Sequence, residues 1–343
     1  MFPSPKPLQE CIVNFDQIRG HRKILELLTR VVQTKWLAHA YVFSGPEGTG
    51  KRLTALALAK NLLCSSGGGK NCGTCSACIQ VDRGSHPDLM MVEPEKGVIT
   101  IDSIRNLKRE LSRKSFSGGY KVCLIDDADK MNLQAENALL KTLEEPTPDT
   151  VIILITGKPY HLLPTVLSRC QHLKFQPLAL FDASELIMTG AGMERDDALL
   201  MASLTGGSPG KAFTLKVGQL KELRDLWINQ AGFFANAEGG DFFGGEENFL
   251  SDKENVDLKL NLLRLWYRDL ILYKIYGNVD CVLNKDKTKE IVSQSSALTL
   301  ERLLNALLGT EKYSTMLEYN ANPQLTLEAI LMTLNPKSEF FLE

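Results

Sequence analysis

The sequence predicts an α/β domain built on a parallel sheet, followed by an all-α region. Three observations carry this. Short, nearly continuous apolar runs recur between residues 40 and 175 and alternate with helical patterns, as expected of strands covered on both faces. The first run leads through a Gly-rich loop into a helix-forming stretch. After Pro177 the strand signals stop while helical patterns continue.

In chain order, AYVFS (40–44) is the first strand, GPEGTGK (45–51) the loop, and KRLTALALAKNLLC, rich in Ala and Leu, the helix after it. Further strands are expected at 88–92 (DLMMV), 121–126 (KVCLID), 151–156 (VIILIT) and 172–175 (HLKF). Helices are expected over SIRNLKRELSRK (103–114) and LQAENALLKTLEE (133–145), the second stopped by Pro146. Residues 180–216 read as a small helical unit around GGSPGKAF, too short to stand alone. The stretch 235–248, ANAEGGDFFGGEEN, has no period and reads as an exposed loop or mobile insertion. Leu260, Leu263, Trp266, Leu270 and Tyr273 then fall at helical spacing, giving one apolar stripe on a bundle helix from about 256 to 276. LTLEAILMTL closes the chain as another helix.

A length of 343 residues with 44% apolar content suits two or three domains with a real core. No apolar run is long enough to span a bilayer, and MFPSPKPLQE lacks the charged-then-apolar pattern of a secretory signal, so a cytoplasmic protein is expected. A formal charge of −2 and a pI near 6.3 leave no global footprint for nucleic acid and disfavour DNA binding by the chain alone.

Gly45, Gly48 and Gly50 let backbone N–H groups turn onto a phosphate, and Lys51 adds a positive charge at the start of a helix. The next position normally offers a Ser or Thr hydroxyl to the magnesium ion of a bound nucleotide. Here it is Arg52, which has no lone pair to give. Thr54 lies about 200° further round the helix and points away. On IDDADKM, Asp126 is placed to hold a metal and Asp127 to polarise water, one methylene shorter than a glutamate.

Of the eight cysteines, Cys64, Cys72, Cys75 and Cys78 crowd together on a Gly-rich segment. Four thiolates able to close round one ion suit a structural zinc site, with an iron–sulfur cluster or unligated thiols as alternatives. His86, in GSHPD, is the nearest competing ligand and reads as a turn residue. Ser168, Arg169 and Cys170 fall between a short helix and the last strand, where a lone arginine ordinarily reads as solvated or salt-bridged.

The ordered set HAYVFSGPEGTGK, the four cysteines, IDDADKM, NALLKTLEEP, SRC and GSPGKA resembles the bacterial DNA polymerase III clamp-loader subunits of the AAA+ class, over most of residues 10–215. NPQLTLEAIL near the end also looks like the last helix of that family. Within the family the gamma or tau branch hydrolyses ATP, and the delta-prime branch has a degraded nucleotide site. Arg52 and the absence of an arginine near GSPGKA, where Pro209, Gly210 and Lys211 stand, point to the delta-prime branch. An ATP-hydrolysing gamma/tau-like motor or related AAA+ ATPase is the alternative.

The resemblance implies a RecA-like AAA+ domain over 1–177 with its zinc module at 64–78, a helical lid over 178–217 and a helical collar over 218–343. It implies a polymerase-holoenzyme component with no ATPase of its own, and leaves open whether ATP or ADP occupies the loop. Gamma/tau and delta subunits in a hetero-pentamer are the implied partners, with the sliding clamp and primer-template DNA reached through that complex and no membrane. It gives Arg169 the part of an arginine finger reaching a neighbour's ATP, with Ser168 positioning it.

Overall fold

The computed structural model describes residues 14–66, 71–215, 217–236, 256–318 and Leu325. The expected closing helix beyond Leu325 and residues 237–248 of the expected loop lie outside these. The chain divides into two compact units, residues 1–182 and 183–343.

The first unit holds a five-stranded sheet of β1 (Ala40–Ser44), β2 (Leu89–Val92), β3 (Lys121–Ile125), β4 (Thr150–Thr156) and β5 (Gln171–Lys174). Its order is β2-β3-β4-β1-β5 and every pair is parallel. Val42 faces Leu154 on one side and His172 on the other. The expected strands are all present, the first with its expected ends and the others with ends shifted by at most one residue.

The long apolar runs follow from burial on both faces. Along β4, Ile152 and Leu154 enter one core with Val42, Cys123, Ile125, Leu139 and Leu143. Ile153 and Ile155 enter the other with Phe43, Leu58, Leu124 and Phe175. Period-two alternation sends successive residues to opposite cores, so neither face leaves a polar signature.

Among the described residues, six α-helices accompany the sheet: α1 (Arg22–Thr34), α2 (Lys51–Leu63), α3 (Ser76–Asp82), α4 (Ile101–Leu111), α5 (Leu133–Glu144) and α6 (Pro164–Leu167). Helix α2 is buried almost all round, which suits its Ala and Leu composition. Helix α4 ends three residues before the expected Lys114. There Lys121 Nζ donates to the Leu111 carbonyl and, at 2.5 Å, to that of Arg113. Asp88 gathers the Phe116 N–H at 2.7 Å and the Ser117 N–H at 2.9 Å, turning the chain off the helix axis.

Helix α7 (Leu180–Ala191) bridges the division between the units. The second unit continues with α8 (Arg195–Leu204), α9 (Pro209–Thr214), α10 (Val217–Asn236), α11 (Val256–Tyr276), α12 (Thr288–Ala297) and α13 (Leu300–Glu318). Among its described residues there is no strand. Residues 235 and 236, expected in a loop, are the last of α10. On α11, Leu260, Leu263, Trp266 and Leu270 are buried as the stripe requires, and Tyr273 is half-buried. Trp266 Nε1 donates to Gln294 Oε1 at 2.9 Å, which satisfies the one polar atom of that ring. Among the described residues no helix is long and apolar enough to cross a membrane.

Candidate functional site

The Gly-rich loop joins β1 to α2 and closes over the end of β5. Gly45 has φ +140°, and a Cβ there would meet the Phe175 carbonyl oxygen at 2.1 Å, so only glycine lets β1 turn into the loop. The Gly45 N–H donates to the Thr156 carbonyl at 3.2 Å, and Thr49 Oγ1 donates to Pro46 O at 2.8 Å. His21, just before α1, places Nε2 2.9 Å from the Thr49 carbonyl and packs its ring 4.7 Å from that of Phe175. No motif in the sequence singles out His21. Burial lowers its pKa, partly offset by the Thr49 carbonyl, with Lys51 lowering it further.

Lys51 is buried and donates Nζ to the Gly45 and Pro46 carbonyls, both at 2.7 Å. Burial pulls its pKa down, opposed by Asp126, Glu47, Asp127 and Asp129. The lysine is thus folded onto the carbonyls of the loop that precedes its helix.

Arg52 extends from the first turn of α2 to two carboxylates. Nη1 lies 2.6 Å from Asp126 Oδ2 and Nη2 lies 2.5 Å from Glu93 Oε1. Asp126 and Glu93 follow directly on the ends of β3 and β2, and their backbones are joined by the Asp126 N–H donating to the Val92 carbonyl at 2.9 Å. Burial pushes the Asp126 carboxyl up, and the Arg52 guanidinium pulls it back. The carboxylate a metal would need is therefore already engaged by a fixed cation. Thr54 turns away as its spacing requires, donating to the Gly50 carbonyl at 2.9 Å. Asp127 stands in left-handed backbone at φ +47° and pairs with Lys130 at 2.7 Å, half-exposed. The sequence pointed to Asp126 and Asp127; Glu93 was missed, its only signal being an acid directly after an apolar strand.

Cys64, Cys72, Cys75 and Cys78 converge, with their sulfurs all within 4.8 Å of one another. Three of the separations are 3.7 Å (Cys64 and Cys72), 3.9 Å (Cys64 and Cys75) and 4.0 Å (Cys72 and Cys78). A tetrahedron with metal–sulfur bonds of ~2.3 Å has an edge of about 3.8 Å, so the donor set fits one four-coordinate ion. Backbone N–H groups of Cys75 and Cys78 point at Cys72 Sγ (3.3 Å) and Cys75 Sγ (3.4 Å), favouring thiolates. The hydroxyl of Ser66 and the N–H groups of Thr74 and Cys75 hold the Cys72 thiol down at about 5. His86 stays apart, taking the Asp88 N–H on Nδ1 at 3.1 Å, the turn role its sequence suggested.

Ser168, Arg169 and Cys170 connect α6 to β5. Arg169 Nη1 donates to the Thr165 carbonyl at 2.8 Å and Nη2 lies 2.7 Å from Glu144 Oε1. Ser168 Oγ donates to the same Thr165 carbonyl at 3.1 Å and lies 3.4 Å from Arg169 Nη1. Cys170 packs against the core behind, and burial pushes its thiol up to about 12.

A Gly-rich phosphate loop between strand and helix, on a parallel sheet and followed by an all-helical unit, defines a P-loop protein of the AAA+ class. The description "DNA polymerase III, delta subunit" matches residues 20–179, and "DNA polymerase III, delta subunit, C terminal" matches residues 222–335. The DNA polymerase III subunit delta' of Bacillus subtilis is 32% identical over 315 residues, 91% of this chain and 95% of that one. That of Pseudomonas aeruginosa is 41% identical over 54% of this chain and 58% of its own. The tau subunit of Bacillus subtilis is 26% identical over 93% of this chain and 61% of its own. The chain belongs to the DNA polymerase III subunit delta' family.

Proposed function

We propose that this chain is the stator of a DNA polymerase III clamp loader: it keeps a phosphate loop as scaffold, hydrolyses no ATP itself and completes the active site of a neighbour. The observation that carries the reading is the Arg52 guanidinium against Asp126 at 2.6 Å. A magnesium ion there would meet a like charge and lose both its hydroxyl ligand and a free carboxylate. Gly45, Gly48, Gly50 and Lys51 then shape the loop, with Asp126 and Asp127 as remnants of the metal and water positions. Kinship to delta' and tau subunits supports membership of a complex with gamma/tau and delta subunits, acting in the cytoplasm on the sliding clamp at primer-template DNA.

In that complex Arg169 reaches the ATP of an adjacent motor subunit, steadied by Ser168. A finger supplied in trans stabilises charge on the transferring phosphoryl group and is worth ~10³-fold or more in rate. Zinc is the ion we assign to Cys64, Cys72, Cys75 and Cys78, as a closed structural site. Residues 1–177, 178–217 and 218–343 are assigned as AAA+ domain, lid and collar.

The test is magnesium-dependent ATP hydrolysis by the purified chain, with Lys51→Ala as control. No turnover is expected. Turnover that vanishes in the control would make the chain a motor subunit, the reading favoured by the intact glycines and Lys51.

A further inference from the structure

We infer that Glu144 is a guard for Arg169: it holds the guanidinium within its own chain until a more strongly charged acceptor displaces it. This rests on the reading of Arg169 as a finger. Helix α5 grips the α6 segment at both ends. Near its start, buried Glu136 accepts the Leu163 N–H on Oε2 at 2.7 Å, fixing where α6 begins. Eight residues on, about 12 Å along the helix, Glu144 takes Arg169 Nη2 at 2.7 Å. Glu136 thus fixes backbone and Glu144 fixes charge.

The position of Glu144 is electrostatically uncomfortable without its partner. It is the last residue of α5, where the helix presents unpaired carbonyls and an added negative charge is unfavourable. Arg169 relieves that, and the Thr165 carbonyl on Nη1 completes a clasp that occupies both terminal nitrogens of the guanidinium. A carboxylate at 2.7 Å also cancels much of the positive field that a finger must project. With the pair about a third to a half exposed, at 35% for Arg169 and 48% for Glu144, water screens it. Such a clasp is weak enough for a triphosphate to open, and strong enough to bias the resting state.

The experiment uses the full chain assembled with an ATP-hydrolysing subunit of the same family, measuring ATP turnover without DNA at saturating and limiting ATP. Glu144→Gln keeps the shape and an acceptor oxygen but removes the charge. It is expected to raise the resting turnover number by about 1.5- to 5-fold, the range an exposed ion pair allows, with KM unchanged. The rise should be absent when Glu144→Gln is combined with Arg169→Ala. If Arg169→Ala lowers turnover but Glu144→Gln leaves it unchanged or lower, the guard is overturned and the finger stands. A rise that persists without Arg169 also overturns the guard. If Arg169→Ala alone leaves turnover undiminished, the finger fails and the guard with it.

Discussion

Arg52 and Asp126, 74 residues apart in the chain, meet at 2.6 Å across the mouth of the phosphate loop, and Glu93 takes the other arm of the same guanidinium at 2.5 Å. One side chain from α2 therefore ties together the ends of two adjacent strands. On the proposed reading, the guanidinium stands where other P-loop proteins hold a mobile cation.

Replacing Arg52 by Thr returns a hydroxyl and frees Asp126. Magnesium should then tighten binding of labelled ADP by about tenfold, one step of 1.4 kcal/mol, while the natural chain should respond to neither magnesium nor chelator. Equal tightening of the natural chain by magnesium would show that the guanidinium yields to the metal.

The sheet was legible because strands buried on both faces have to be apolar throughout, and Val122 to Ile125 and Val151 to Ile155 are. The loop was legible because Gly45 has no substitute beneath Phe175. Helix α1 was not marked. Its flanking residues are His21 and Lys35, both in left-handed backbone, and neither carries a capping signature. Arg52 announced a missing hydroxyl, but its two carboxylate partners depend on β2 lying beside β3, a pairing no local pattern shows. Glu144 was hidden for the same reason, since its partner comes from another segment 25 residues on.

The four cysteines sit beside another tie. Lys60 on α2 is fully buried, with Nζ 2.7 and 2.6 Å from the two oxygens of Asp82 at the end of α3, the helix that contains Cys78. Asp82→Ala leaves that ammonium unpaired and should cost about 3 kcal/mol in denaturant unfolding, as when one member of a buried pair is removed. Lys60→Met combined with Asp82→Leu should recover most of it. A double variant no more stable than Asp82→Ala would show that the ion pair itself, not the stranded charge, sets the cost.

Elemental analysis of the purified chain should find one zinc per chain. Cys78→Ser should lose it, because Cys78 is the buried member of the four and, among the described residues, no fifth ligand joins the group. Protease should then cut between residues 64 and 78, since the metal closes that segment. Visible absorbance with bound iron would replace zinc by an iron–sulfur cluster.

Asp88 makes stability depend on acid. Its carboxylate is buried, which raises its pKa, but the Ser117 hydroxyl, the N–H groups of Phe116 and Ser117 and nearby His86 outweigh that and hold it below the usual carboxylate value. A carboxylate depressed in the folded state contributes stability fully above its unfolded pKa, near ~3.9, and loses it as pH falls through the folded value. Asp88→Asn should therefore cost about 1–3 kcal/mol at neutral pH, since the amide offers one acceptor where two oxygens now serve four donors. The gap between the two proteins should close as pH falls below about 4, because protonated Asp88 loses the same interactions. Chemical unfolding of both at pH 7 and pH 3 measures it, and a gap that stays constant would mean that shape, not charge, holds the Ser115–Ser117 turn. That turn carries Phe116, 84% exposed, so Asp88→Asn should also increase hydrogen exchange at the Phe116 and Ser117 amides at neutral pH.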